Sequence, residues 1–300
     1  MTAKNYYKAY RFHGVDGCQY NEKDLMGNCR FCGDQSHFSY SSLDGRYRCF
    51  KCECRGNLYT FMNRLHLQCF TETTSKQLRK LGAERGLSVS ILREHEVAWD
   101  DETGEWLIPH RVRQKNPESG EVSFPIVNLK RWQLDRDGKR KLFGTKTCKN
   151  HVYGAHLYDD EQRKRPTYVC EGEWDRMALC DTAASYLGGA NVVALPGTGT
   201  NLSLLDSFSG RIICLGDSDP AGRRLGILVS RKWPDRSSCL VWTSGIPGQD
   251  DRSVSTGGLP DDSLEREQIL QLREGFDVRD LCNSGLPPEV VWKYLQRNLA

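Results

Sequence analysis

The apolar run 211–216 ends in Asp217-Ser218-Asp219, and Pro220-Ala221-Gly222 follows at once. A strand running into a turn carries both carboxylates to the carboxyl edge of a sheet, where open α/β folds place their chemistry, and oxygen-only ligands suit Mg²⁺ or Mn²⁺. A second apolar run, 167–170, ends in Glu171-Gly172-Glu173-Trp174-Asp175. Like charges gathered on one edge repel unless cations or shared protons neutralise them. Two such clusters therefore argue together for a divalent metal and a phosphate-bearing substrate. The ordinary structural use of such acids is to cap helices or decorate turns, and a lone Asp-x-Asp would carry little weight.

A different chemistry is written near the start of the chain. Cys29-Arg30-Phe31-Cys32 and Cys49-Phe50-Lys51-Cys52 give the spacing C-x2-C-x16-C-x2-C, in which two turns present four thiolates to one tetrahedral Zn²⁺. Cys54, Cys18 and His37 lie close enough in sequence to substitute, but the set Cys29, Cys32, Cys49 and Cys52 is the expected one. The stretches 36–41 and 45–50 read as the strands of a hairpin carrying the site. On so small a module Phe38, Tyr40 and Phe50 are expected as its core. Arg46, Arg48 and Lys51 offer cations to phosphates, a pattern that fits single-strand recognition.

The elements that must hold these residues can be read around them. Strands at 167–170, 191–195, 211–216 and 238–242 alternate with helices at 174–187 and 221–233, and the β-α-β-α-β-α-β order implies a parallel sheet with right-handed crossovers. Pro220 suits a first helical position, and Leu225, Leu228 and Val229 mark the apolar face of the helix it opens. Pro196 to Asn201, with Gly197-Thr198-Gly199-Thr200, is a glycine loop whose amides could approach phosphate, although it lacks the Lys-Ser/Thr ending of a nucleotide-binding P-loop. Upstream, an apolar helix is expected over 58–65. Residues 72–88 read as linker plus a short helix. Strands follow at 106–110, 123–129 and 131–134. The C-terminal stretch 287–299 reads as an amphipathic helix with Val290, Tyr294 and Leu295 on its packed side.

Strand, Glu-Gly-x-x-Asp, strand with a Gly-Thr loop, and strand with Asp-x-Asp-Pro-Ala-Gly together resemble the Toprim catalytic domain shared by bacterial and phage primases, topoisomerases and some nucleases. The cysteine ribbon ending in Cys49-Phe50-Lys51-Cys52, a glycine turn and an apolar helix is similar to the zinc-binding domain of Toprim primases. An all-cysteine set is the phage helicase-primase form of that domain and implies a phage, plasmid or mobile-element origin. The resemblance implies an α/β fold, α+β over the whole chain: a Toprim parallel-sheet core preceded by a mixed α+β subdomain and an N-terminal zinc ribbon. The implied division is a zinc ribbon over 1–70, a linker over 71–88, an N-terminal subdomain of the RNA polymerase core over 89–165, and a Toprim domain with a C-terminal helix over 166–300.

The same resemblance implies a DNA primase that makes short primers on single-stranded DNA from NTPs, with one structural Zn²⁺ and catalytic Mg²⁺ or Mn²⁺. Glu171, Asp217 and Asp219 become the catalytic set. Asp175 and Asp277 join them as metal ligands, and Glu171 is open to either metal binding or proton transfer. Asp277-Val278-Arg279-Asp280 resembles the family's third acidic element, but Phe276 replaces its usual lysine and Arg279 stands where a second carboxylate is expected. Carried over by position, Lys130, Arg131, Lys141 and Lys146 become candidates to grip template or triphosphate. The alternatives are a metal-dependent Toprim nuclease and a non-catalytic single-strand-binding replication protein. A topoisomerase needs a nucleophilic tyrosine in a further large domain.

Length and composition agree with this reading. Three hundred residues suit about two domains. Thirteen cysteines dispersed through expected strands and helices point to a reducing compartment with metal-bound and buried thiols. No signal-like or membrane-length apolar run occurs, so a cytoplasmic protein without a membrane partner is expected. The net charge of +3 is small, but its distribution is uneven. Residues 130–149 carry eight Lys/Arg against two Asp, +6, and residues 250–280 carry nine acids against four Arg, −5. A basic stretch beside an acidic one suits a phosphate-tracking surface leading to a metal site. No G-x4-G-K-S/T occurs, so a separate replicative helicase is the expected partner.

Overall fold

The computed structural model describes residues 6–21, 23–197, 201–242 and 276–299. The chain divides into two compact units, Met1–Glu84 with Ser88–His151, and Arg85–Leu87 with Val152–Ala300. Most of the acidic run 250–280 and most of the Gly197-Thr200 loop lie outside the described residues.

In the first unit, α1 (Tyr6–Phe12) precedes an antiparallel sheet of five strands in chain order, β1 (Gly17–Gln19), β2 (Asp24–Gly27), β3 (Phe38–Ser41), β4 (Arg46–Cys49) and β5 (Arg55–Asn57). Burial alternates along β3 and β4, as the period of a half-buried strand requires. Phe38, Tyr40 and Tyr47 point inward and meet Tyr10 and Phe61, with Phe38 stacked on Tyr47 at 5.3 Å. Phe50 does not join that core. It is 56% exposed, because it follows the last inward position of β4. Asn57 starts α2 (Leu58–Glu72) with a reciprocal cap: its side chain accepts from the Thr60 N–H, and the Thr60 hydroxyl accepts from the Asn57 N–H.

The short helix expected within 72–88 is α3 (Ser75–Arg85), which takes up most of that stretch and buries Leu78 and Leu81. Two leucines three apart, with Gly82 beside them, form the buried side of a helix whose charged residues face outward or lie half-buried. After α4 (Val89–Glu94) comes a second antiparallel sheet, built from β6 (Ala98–Asp100), β7 (Glu105–Arg111), β10 (Ile126–Leu134) and β11 (Arg140–Phe143) in the order β11-β10-β7-β6. The short pair β8 (Gln114–Lys115) and β9 (Val122–Ser123) lies between β7 and β10. The two runs read as separate strands at 123–129 and 131–134 are one strand, β10, with an irregularity in its register between Ile126 and Asn128.

The second unit is built on four parallel strands, β12 (Thr167–Cys170), β13 (Asn191–Ala194), β14 (Ile212–Leu215) and β15 (Ser237–Cys239), in the order β13-β12-β14-β15. The first three are buried throughout, as strands covered on both faces must be. α5 (Glu173–Ala183) and α6 (Pro220–Lys232) are the long connections. Between β13 and β14 the described residues hold only a single 3-10 turn, Leu202–Leu205, where a third helix was expected. Leu225 and Val229 are the buried face of α6, whereas Leu228 is exposed. α7 (Val278–Cys282) and α8 (Pro288–Arg297) close the unit, with Val291 rather than Val290 packed inward beside Tyr294 and Leu295.

Candidate metal centres

The sheet order fixes where the acids meet. From β12 the chain passes to β13 on one side and then to β14 on the other, so the direction of winding reverses between β12 and β14. Open α/β sheets leave their crevice at such a point, beyond the carboxyl ends of the strands. Cys170 pairs in register with Leu215, so Glu171 and Asp217 leave neighbouring strands at nearly the same level. The Asp217 N–H donates to Glu171 Oε2 at 3.0 Å. Asp175 enters from the first turn of α5 and is buried. Ser218 N–H donates to the Phe276 carbonyl at 2.9 Å, which brings Asp277 to the same turn.

These buried carboxyls raise one another. Burial pushes Asp217 up to about 8, with Glu171, Asp277 and Asp219 adding to the rise. Burial first, then Asp277, Asp217 and Glu171, raises Asp175 well above the usual carboxylate range. Glu171 is raised as well: burial outweighs the favourable Asp217 N–H, and Asp219 and Asp277 add repulsion. Oδ1 of Asp175 and Oδ1 of Asp217 are buried without a hydrogen-bond partner among the described residues. Buried acceptors left unpaired are costly. An all-oxygen donor set with two such atoms fits a hard divalent cation.

Asp219 and Asp277 have a second occupation. Asp219 caps α6, its Oδ1 accepting from the Gly222 N–H at 2.7 Å, with Pro220 at the first helical position. Asp277 caps α7, accepting from the Asp280 N–H at 2.7 Å, and its other oxygen meets Arg279 at 2.9 Å. Asp280 reaches back toward the Asp277 N–H at 3.4 Å. Sequence reading left out Arg223. This exposed residue in the first turn of α6 donates to the Ser218 carbonyl at 2.5 Å and sets a cation beside the acids. The Arg-Arg pair after Gly222 was its only signal.

In the ribbon three of the four expected thiols, Cys29, Cys49 and Cys52, converge with Cys54. The ligand atoms of Cys29, Cys49, Cys52 and Cys54 all lie within 4.8 Å of one another. Cys32 sits on the exposed side of the group, its sulfur 3.8 Å from that of Cys49. Cys54, which sequence spacing set aside, is thus inside the cluster. Cys18 is exposed on β1, and His37 is engaged with Asp34 at 2.8 Å, so neither joins the group. Four soft thiolate donors fit Zn²⁺.

The basic candidates separate by exposure. Arg46, Arg48 and Lys51 are exposed, with Asp44 at 3.5 Å from Arg46 and Asp34 at 3.4 Å from Lys51. Lys141, paired with Asp135 at 2.7 Å, and Lys146 are exposed too. Arg131 is not a surface grip. It is fully buried, held by Asp100 at 2.7 Å and Glu105 at 3.0 Å, with Arg30 on the other oxygen of Asp100 at 2.6 Å. Burial works to raise the Asp100 carboxyl, but Arg131 and Arg30 outweigh it and hold it below its ordinary value. Lys130 is buried as well. Both residues lie in the most buried stretch of β10, so the run of positive charge there is partly interior. Arg55 is the cation that sequence reading missed. It is exposed on β5 directly opposite Arg48.

Among the described residues, no helix is long and apolar enough to cross a membrane. No family model matches the sequence, and no curated protein matches it. Solved structures do. The DnaG catalytic core is similar at 16% identity and a TM-score of 0.50, covering 80% of this chain and 79% of that one. The RNA polymerase domain of Mycobacterium tuberculosis primase DnaG, in complex with double-stranded DNA, gives 16% identity and a TM-score of 0.50, with 80% and 78% covered. The zinc-binding and RNA polymerase domains of Aquifex aeolicus primase give 13% identity and a TM-score of 0.46 over 99% of this chain and 86% of that one. Likeness at these identities is likeness of fold, and the fold of this chain is that of the DnaG catalytic core.

Proposed function

We propose that the chain is a Toprim-type DNA primase that makes short RNA primers on single-stranded DNA. One observation carries the reading: Glu171, Asp175 and Asp217 meet at the switch point of a parallel sheet, and two of their buried carboxyl oxygens lack a partner among the described residues. The fold shared with DnaG cores and the thiol cluster support it. The proposed division keeps a zinc ribbon over 1–70, an N-terminal polymerase subdomain over 89–165 and a Toprim domain over 166–300.

In this reading Glu171, Asp217 and Asp219, with Asp175 and Asp277, hold Mg²⁺ or Mn²⁺. Bound there, the cation would neutralise the acids and stabilise charge on the triphosphate during attack by a 3′-hydroxyl. The Asp217 N–H holds the Glu171 carboxylate against the turn that carries Asp217. Glu171, raised by burial, is also suited to take the proton of the attacking hydroxyl. Asp219 keeps one oxygen on the Gly222 amide, which orients the other. Zn²⁺ on the ribbon thiols is structural, and Arg46, Arg48, Lys51 and Arg55, with Lys141 and Lys146, contact the template backbone or the triphosphate. These 300 residues carry no P-loop motif, so unwinding comes from a helicase outside them. The reaction belongs in the cytoplasm of a prokaryotic or phage-infected cell.

The test incubates the protein with Mg²⁺ or Mn²⁺, labelled NTPs and a pool of single-stranded templates, and compares wild type with Asp217→Ala on a sequencing gel. Template-dependent oligomers that fall about 100-fold or more in the variant, the scale for losing one preorganised charge-stabilising group, support primase. Metal-dependent shortening of labelled DNA without synthesis, lost in the same variant, moves the reading to nuclease. DNA binding with neither activity favours the non-catalytic alternative.

A further inference from the structure

Five sulfurs gather where a tetrahedral ion takes four. Bonds of about 2.3 Å from zinc to sulfur give a tetrahedron with edges of about 3.8 Å. The sulfurs of Cys29 and Cys52 are 3.8 Å apart, those of Cys32 and Cys49 are 3.8 Å apart, and those of Cys29 and Cys54 are 4.0 Å apart. Each of the five thus stands about one tetrahedral edge from another member of the group. Cys29, Cys49 and Cys52 are common to the set given by sequence spacing and to the set whose ligand atoms lie within 4.8 Å of one another. Cys32 and Cys54 compete for the remaining vertex, Cys32 from the solvent side and Cys54 from a buried position.

The backbone holds both competitors close. The Cys49 N–H donates to the Cys54 carbonyl at 2.8 Å, tying residue 54 back to the strand that carries a ligand. Glu53, between the last two thiols, takes φ +59, the left-handed region that non-glycine residues seldom adopt. The turn it makes lets Cys52 and Cys54 offer sulfur to one point. On the other side, the Gly33 N–H donates to the Cys29 carbonyl at 3.0 Å and closes the turn that carries Cys32.

The geometry points to a five-thiol zinc site in which Cys32 and Cys54 exchange as fourth ligand beside Cys29, Cys49 and Cys52. This rests on the reading of the cluster as a zinc site. Its consequence is that the solvent-facing thiol can be modified while the buried one takes its place and the ion stays.

Two experiments on the full chain test it. In the first, zinc-loaded wild type receives a short pulse of N-ethylmaleimide, whose ring double bond is added across by the sulfur while the ring carbon gains a proton. Peptide mapping and native mass spectrometry then locate the adduct and count the metal. The expected product carries one adduct within the cluster, on the exposed Cys32, with one zinc retained. In the second, Cys32→Ser, Cys54→Ser and the double variant are loaded with Co²⁺. Each single variant should keep the intense visible bands of a four-thiolate site, and the double variant should bind zinc about 100-fold more weakly than either.

Loss of those bands in Cys32→Ser alone makes Cys54 a bystander, and loss in Cys54→Ser alone makes Cys32 one. Loss in both single variants, or zinc released by the first adduct, also overturns the exchange. Wild type without zinc overturns the metal reading itself, a result separate from all of these.

Discussion

At the scale of single residues, the acids of the parallel-sheet unit and the arginine of β10 show opposite ways of burying charge. Asp217, raised to about 8 by burial and its acidic neighbours, keeps a proton in the metal-free fold across a window in which the unfolded carboxyl, near 3.9, has lost it. The native state therefore binds more protons between about pH 4 and 8, and stability of the metal-free protein falls as pH rises through that window. Asp217→Asn should flatten the fall by at most about 1.4 kcal/mol per pH unit, the worth of one whole proton. Thermal unfolding at pH 5, 6.5 and 8 in chelator measures it, and an unchanged slope would show that the carboxyl is already ionised. Arg131 is the reverse case, a cation whose burial is compensated. Arg131→Met leaves Asp100 with Arg30 alone, so unfolding should become easier by about 3 kcal/mol, the lower end for a broken buried pair. Affinity of the folded protein for single strands should not change. The Asp217 site was legible because acids placed after strands are a rare and directional pattern. Arg131 was misread because a cation in sequence carries no sign of whether it faces water.

Elements add what single residues cannot show, which is how closely two pieces of backbone approach. α6 was legible from Pro220 and the spacing of Leu225 and Val229, nearly to its limits. The role of Gly222 was not. A Cβ there would lie 2.3 Å from the Asp217 carbonyl and 2.4 Å from its nitrogen, so the first turn of the helix rests directly on the backbone that carries the acid. Gly222→Ala should therefore cost about 1–3 kcal/mol, as overpacking does, and should depress primer synthesis further by displacing both Asp217 and the Asp219 cap. Gly226 lies one turn on in the same helix, where a Cβ would make ordinary contact with Cys239 at 3.5 Å. Gly226→Ala should leave activity intact and stabilise by up to about 1 kcal/mol through helix propensity. Melting curves and primer yield on the two variants give the comparison, and equal effects would refute the close-approach argument. α3 was foreseen only as a short helix without bounds, since the burial of Leu78 and Leu81 that fixes its extent is settled by the fold.

For the molecule as a whole, a net charge of +3 says little about nucleic-acid binding, because charge acts where it is concentrated and exposed. The fold withdraws Lys130 and Arg131 from the surface and builds a different cationic face on the ribbon. Arg46 and Arg48 alternate outward along β4, Arg55 stands opposite Arg48, and Lys51 follows with exposed Phe50, whose ring lies 5.2 Å from the Arg48 guanidinium. Two arginines directly opposed across neighbouring strands repel. A phosphate between them would turn that repulsion into attraction, which gives this face a reason to hold an anion. Each phosphate contact to a single strand adds about 0.7 to the slope of log affinity against log salt. Arg48→Ala with Arg55→Ala should lower that slope by about 1.4. Phe50→Ala should leave the slope unchanged and weaken binding by about 1–3 kcal/mol, the value of one stacked base. Fluorescence anisotropy of a labelled oligonucleotide from 50 to 300 mM salt, on the zinc-loaded protein, separates the two effects. A double variant with the wild-type slope would remove the ribbon from the DNA path and leave template binding to the exposed lysines Lys141 and Lys146.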